Sequence, residues 1–367
     1  MSTQPSTEQE VQDMSPSLSE ESVSPDAKPS DERLGKRSLV RVMVARPGFG
    51  AVVGVVLVFA FFAVGSDLFA SAAGASNWLD PSATIGLLAI TVALLMVGGE
   101  FDLSTGVMIG SSSLLTGLLV TESGLSLPVA LLISLAFAVG VGFFNGFLVA
   151  RTQLPSFIVT LGTFFILQGL NQGVVKQITG TVRVDGLSDA QGYAFFQKYL
   201  GSTVNIGGVT LQSAVFWWVG FTIIGAVILS RTKYGNWIQS VGGDLVAARG
   251  MGVPVRKVKV ALFIASSVMA WFVGTITALR LGSVTTNQGV GQELVFIVAA
   301  VVGGCLLTGG AGSVIGASAA ALIFGMVQVG IPYRGWDSNY YYAFLGGVLL
   351  LSVLGNTFIR NTIGARR

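Results

Sequence analysis

Histidine is absent, and cysteine occurs once, as Cys305. The first absence removes imidazole metal ligands and histidine proton relays. The second removes disulfides within the chain and clustered-thiolate zinc sites. Charge is scarce as well: 11% of the 367 residues are Asp, Glu, Lys or Arg, against about 25% in a soluble domain. No G-x-x-x-x-G-K-S/T run occurs, so the chain has no P-loop for a nucleotide. No long apolar run carries a row of ionisable residues, which leaves little footing for coupling to buried protons or ions.

What is present is apolar: 52% of residues are hydrophobic and the mean hydropathy is +0.74. Such a chain cannot hide its surface in one aqueous core and reads as an all-α polytopic membrane protein. Ten spans are expected, at 48–69, 82–98, 105–121, 127–150, 156–175, 211–230, 260–281, 292–307, 312–331 and 341–359. Several are short for a bilayer that needs about 20 residues, so tilted, paired or broken helices are expected. The 49 glycines suggest close helix packing and broken helices. Residues 1–32 hold eight acids, one Lys and many Ser and Pro. Together with the basic collar Lys36, Arg37, Arg41 and Arg46 they are expected to form a disordered cytoplasmic tail over 1–46. The membrane domain then occupies 47–367.

One stretch interrupts the apolar pattern, the basic segment 231–259. It carries Arg231, Lys233, Arg249, Arg256, Lys257 and Lys259 against one acid, Asp244. The positive-inside rule places it in the cytoplasm. An even span count then puts both termini there. The net charge of +3 reflects orientation, not nucleic-acid binding. Within the segment, Asp244 can cap a short surface helix that Gly250, Gly252 and Pro254 stop. Charge alone favours a plain anchoring loop over a docking handle.

Three constellations are candidates for function. Gly98 to Gly106 reads G-G-E-F-D-L-S-T-G and places Glu100 and Asp102 between two short spans. Asp102 suits a helix cap, whereas Glu100 is either a gate contact or an interfacial residue. On the fifth span Thr160, Thr163, Gln168 and Asn171 share one side, and the fourth span offers Asn145. These could line a route for a neutral, hydroxyl-rich solute, with Trp271 stacking on a ring, or they could be hydrogen-bonding glue between helices. Glu293 stands at the start of the eighth span as a gate contact or a helix cap. A weak internal echo pairs Val97-Gly98-Gly99 with Val302-Gly303-Gly304, each followed by a G-x-x-I-G run. Chance and an internal repeat account for it equally.

Taken together, several motifs resemble the permease subunits of ribose-type ABC sugar importers. They are G-G-E-F-D-L-S-T-G, F-N-G-F-L-V (144–149), P-S-F-I-V-T-L-G-T (155–163), the run from Tyr234 to Val253, G-V-G-Q-E-L (289–294) and G-G-A-G-S-V-I-G (309–316). The order matches from about Gly98 to the C-terminus. The resemblance implies a pore made with a second permease copy, as a homodimer. It implies a cytoplasmic ATPase with two fused nucleotide-binding domains, which holds ATP and Mg; this chain binds no cofactor. It also implies an extracytoplasmic sugar-binding protein. The family's ATPase-docking segment typically reads E-A-A-R-x-x-G. Ala247, Ala248, Arg249 and Gly252 match it after the Asp244 cap, while Val246 stands in place of the Glu. That overturns the plain-loop reading. The cargo expected is a monosaccharide or polyol. The alternatives are branched-chain amino acids or nucleosides, and a secondary transporter working alone.

Overall fold

The computed structural model describes residues 48–364, with side chains to Leu354. The expected tail and collar at 1–46 lie outside the described residues. The first helix, α1 (Phe49–Gly65), is almost wholly apolar. A single turn, α2 (Asp67–Ala70), leads to α3 (Ala72–Val97), whose first turn is capped by Ser71 Oγ accepting from Gly74 N at 3.1 Å. Next come α4 (Ser104–Thr121), α5 (Leu127–Thr152) and α6 (Ser156–Thr179). Pro128 sits in the first turn of α5, where its missing N–H costs no hydrogen bond.

A non-spanning segment follows. It contains β1 (Arg183–Val184), a 3-10 turn at Leu187–Asp189, the single turn α7 (Tyr193–Phe196), a π turn at Gln197–Gly201, and the hairpin β2 (Thr203–Ile206) to β3 (Val209–Gln212). Gly207 and Gly208, both at positive φ, make the two-residue hairpin turn that strand twist favours. Then come α8 (Ser213–Arg231), α9 (Lys233–Gly243), α10 (Leu245–Gly250) and α11 (Val255–Leu281). The chain ends with β4 (Val284–Thr285), α12 (Glu293–Val302), α13 (Val314–Tyr333) and α14 (Tyr340–Gly364). β4 pairs antiparallel with β1, Arg183 opposite Thr285.

Seven of these helices are long and apolar enough to cross a membrane: α3, α4, α5, α6, α8, α11 and α13. The first, eighth and tenth expected spans correspond to the shorter apolar helices α1, α12 and the Tyr340–Leu354 part of α14. The centre of the bundle is α3, which packs on α13, α8, α12 and α11. Of its most apolar stretch 83% is buried, against 33% for α5, α6 and α8, which therefore form the periphery. On the other side of α11 lie α4 and α5, with α6 packed on α4. The bundle has two ends. One, called the basic end below, carries α9, α10 and the charged start of α11. The opposite end carries the two ribbons.

The eighth expected span, 292–307, changes most. It is not a crossing helix: α12 stops at Val302 after ten residues. Ten residues rise about 15 Å, half of a hydrocarbon core about 30 Å thick. The chain reaches its start from β4 through the non-helical residues 286–292.

Candidate functional site

The basic segment folds into two helices where one was expected. Thr232 Oγ1 accepts from Gly235 N and caps α9. Asp244 Oδ1 accepts from Val246 N at 2.9 Å and Ala247 N at 3.0 Å, and so caps α10. Gly252, at φ 78, ends α10: its N–H reaches Arg249 O, and Val253 N reaches Ala248 O, both at 3.0 Å. This is the paired bonding of a Schellman cap. Ala248 is fully buried, whereas Val246, Ala247, Arg249 and Met251 face outward. An apolar stripe with one cation is thus exposed at the basic end among the described residues.

The helix is anchored on glycine. Gly242, just before it, sits so close to Val97 O and Gly310 N that a Cβ could not be placed there. Gly310 N donates to Val97 O at 2.8 Å. A Cβ on Gly309 would fall 2.8 Å from Gly99 Cα. Three Gly-Gly pairs, 98–99, 242–243 and 309–310, therefore meet backbone to backbone. They tie the end of α3, the end of α9 just before α10, and the turn before α13 into one junction. The internal echo has a structural counterpart here. Gly99 N and Glu100 N bond Met96 O and Leu95 O, while Gly304 N and Cys305 N bond Val301 O and Ala300 O. The ends of α3 and α12 carry the same cap.

Beyond the junction, residues 98–103 form a break between α3 and α4. Glu100 turns to the start of α11 and pairs with Lys259. Both side chains are largely buried, 7% and 15% exposed, so the pair is shielded from water. Asp102 Oδ1 accepts from Ser104 N at 2.9 Å and from Ser104 Oγ, which caps α4 from two residues upstream. Its second oxygen, Oδ2, has no partner among the described residues. The break is stitched to both neighbours. Phe101 N donates to Ser156 Oγ, Leu103 N to Thr160 Oγ1, and Asn145 Nδ2 to Ser104 Oγ at 3.0 Å. Thr163 Oγ1 donates to Asn145 Oδ1 at 2.6 Å, and Thr105 Oγ1 lies 3.2 Å from Ser266 Oγ on α11. Asn145, Thr160 and Thr163 are thus brought together with Asp102, all buried. Their bonds answer polar groups that the break leaves buried in the protein, away from water.

The rest of the polar stripe lies elsewhere. Gln168 and Asn171 sit further along α6, towards the opposite end. Asn171 is buried, and its Nδ2 has no partner among the described residues. The next residue, Gln172, is exposed and donates to Asn287 Oδ1 at 3.0 Å. Trp271 donates its indole N–H to Ser134 Oγ at 2.9 Å, and Thr116 donates to the same hydroxyl. Its ring packs in the buried cluster with Leu131 and Ala278.

Glu293 begins α12 and folds back. Gly291 N donates to its Oε2 at 3.0 Å, and the carboxylate lies over Gly106, where a Cβ would strike it. A Cβ on Gly110 would fall 2.7 Å from Gln288 O. The G-V-M-I-G run of α4 is therefore a flat strip on which the non-helical segment lies. Gly142 and Gly146 do the same for α5, each leaving room for the backbone of α11 at Ile264 and Val260.

Lys259 as the partner of Glu100, the three glycine doublets as one junction, and Gln172 with Asn287 escaped the sequence reading. The doublets were the one visible signal. Long-range pairing of a single lysine leaves none.

The chain matches the family model for the permease component of branched-chain amino acid transport systems over residues 74–353. It is 30% identical to a xylose transport system permease protein of Haemophilus influenzae, over 82% of this chain and 93% of that protein. It is 34% identical to an autoinducer 2 import system permease protein of Enterobacter sp. strain 638, over 73% and 74% of the two chains. It is also 29% identical to a fructose import permease protein of Rhizobium meliloti, over 83% and 84%. No solved structure matches the chain.

Proposed function

The chain belongs to the family of transport-system permease components, and from that membership we propose that it forms the membrane pathway of an ATP-driven importer of a monosaccharide or polyol. The observation that carries the reading is the similarity over most of both lengths to permeases named for xylose, fructose and autoinducer 2 import. The site is consistent with it. A motor outside the membrane needs a handle, and α10 offers Val246, Ala247 and Arg249 on an exposed turn anchored to two helix ends. The basic end then faces the cytoplasm, where Lys and Arg gather, and meets an ATPase with two fused nucleotide-binding domains. The ribbon-bearing end faces outward and receives a sugar-binding protein. A second copy of the chain closes the pore. Ten crossings or part-crossings return both termini to the cytoplasm.

The family model is named for branched-chain amino acids, which makes them the competing cargo. An amino acid carries an ammonium and a carboxylate, and each needs an opposite charge or several aimed dipoles when water is stripped. The exposed polar groups of the non-helical segment are Asn287 and Gln292, with Gln172 beside them. Neutral amides suit hydroxyls better than a zwitterion.

The test is uptake into vesicles that hold the chain with its cognate ATPase and binding protein. Labelled xylose, fructose, galactose, leucine and uridine are offered in turn. ATP-dependent accumulation of a monosaccharide is expected, with none when the ATPase is left out. Accumulation by the lone chain under an ion gradient, or selective uptake of leucine or uridine, overturns the reading.

A further inference from the structure

The non-helical residues 286–292 lie deep in the bundle. Thr105 of α4 touches Ser266, the twelfth of the 27 residues of α11. Gly274, the twentieth, packs against Ile109 O. Gly106, which carries Gly289 and Glu293, therefore lies level with the middle of α11. The segment descends from the β1–β4 ribbon, where Thr286 N bonds Val182 O, to that mid-level. It does so without helix and with exposed polar groups: Asn287, Gly291 and Gln292 are exposed, and so is Gln172 of α6, bonded to Asn287. Gln288 Nε2 and Asn171 Nδ2 are buried without partners among the described residues.

Hydrocarbon cannot tolerate this surface. Irregular backbone at membrane depth survives only where protein buries it or where it lines water. Here the segment's inner side is buried against Gly106 and Gly110, and its outer side is open. Glu293, the carboxylate that follows the segment at the start of α12, is turned inward and held by Gly291 N. The open side of the segment itself therefore carries amides and no charged side chain, and the cation on the same face of α6 is Lys176, one turn beyond Gln172 towards the ribbon-bearing end.

We propose that residues 286–292, with Gln172 of α6, form the water-facing wall of the solute route, and that Asn287, Gln292 and Gln172 are its hydroxyl-contacting groups, selecting neutral polyhydroxylated solutes. The inference rests on the permease reading. Each amide presents both a donor and an acceptor, which matches a hydroxyl that also does both. Contacts of this kind are modest, so the solute is contacted and released. The stripe expected from sequence contributes its far half, Gln168 and Asn171, to the helix beside this wall. Asn145 and Thr160 bond to residues at the break, and Thr163 bonds to Asn145.

Accessibility tests the wall independently of cargo. In a Cys305→Ala background, Asn287→Cys and Gln292→Cys are introduced one at a time into the complex, isolated through its ATPase. A small, charged, water-soluble thiol reagent should label both positions. It should leave Ile166→Cys unlabelled; Ile166 is a 60%-exposed apolar residue of α6. If neither 287 nor 292 labels, the segment does not line water and the inference fails, even where sugar uptake is normal. If both label but the vesicles accumulate leucine, the wall stands and the hydroxyl assignment fails with the cargo reading. Function supplies the second arm. Asn287→Leu and Gln172→Leu should each cut sugar uptake about three- to tenfold, as the loss of one hydrogen bond does. Stimulation of the ATPase by loaded binding protein should persist, and Asn287→Ser should recover part of the uptake. Unchanged uptake in both Leu variants overturns the solute contact.

Discussion

Lys259 and Glu100 meet across the bundle with little water between them, their side chains 15% and 7% exposed. Desolvating two charges costs several kcal/mol for each, and only the partner offsets it. Lys259→Met strands the carboxylate and should destabilise the protein by about 3–5 kcal/mol. Adding Glu100→Gln to that variant removes the stranded charge and should restore much of the loss. Thermal unfolding of the detergent-solubilised protein measures both. A double variant no more stable than the single one would show that the two charges are not coupled. Glu100 was legible in sequence as a costly acid near a span. Its partner was not, because six basic residues stand in one segment and only the packing of α11 selects among them. Asn145 teaches the same lesson. Its helical face was legible, but its two bonds, to Ser104 and Thr163, depend on where the break in another element falls.

At the scale of elements, α10 is the clearest case of local rules that survive in the fold. A good cap at Asp244 and a glycine at 252 predict its limits, and the bonding at both ends agrees. Open space surrounds Gly252, so a side chain there meets no clash. The cost of substitution comes from φ 78 alone, about 1–2 kcal/mol for an L-residue. Gly252→Val should therefore leave insertion and abundance intact but tilt the exit of α10, lowering stimulation of the ATPase by loaded binding protein. Gly252→Asn, which tolerates positive φ, should keep more of that stimulation. Full stimulation in Gly252→Val would count against docking at this helix. α12 is the opposite case. Its run of apolar residues looks like a short span, yet it ends halfway because the same Gly-Gly cap that closes α3 closes it. Periodicity cannot tell a half-helix from a crossing one when both are apolar all round.

For the whole molecule the proposed orientation, basic end inside and ribbon-bearing end outside, is testable by accessibility. Ser188 lies exposed at the ribbon-bearing end, and Met251 is 69% exposed at the basic end. With Cys305 replaced by Ala, Ser188→Cys should react with an impermeant thiol reagent on intact cells. Met251→Cys should react only after the membrane is opened. The reverse pattern would invert the orientation and with it the docking role of α10. Cys305 itself is buried with its sulfur near Ala93 O, so Cys305→Ala deletes one thiol from the interior and adds no bulk.

By itself the sequence determined the class, the approximate places of the apolar helices, the charged segment that gathers at one end of the bundle, and the surface helix with its Asp244 cap and its glycine stop. These follow from composition, from charge placement and from caps, each readable within a few residues. Only the tertiary structure decided that Gly98-Gly99, Gly242-Gly243 and Gly309-Gly310 form one junction. It alone paired Glu100 with Lys259, bonded Asn145 and Thr160 to the break and Thr163 to Asn145, and put a half-length helix, reached through the non-helical residues 286–292, where the eighth span was expected. The reason is the same in each case. Polar groups cut off from water bond within the protein, and the partners of Glu100, Asn145 and Thr160 lie tens of residues or more away in the chain, chosen by how the helices pack.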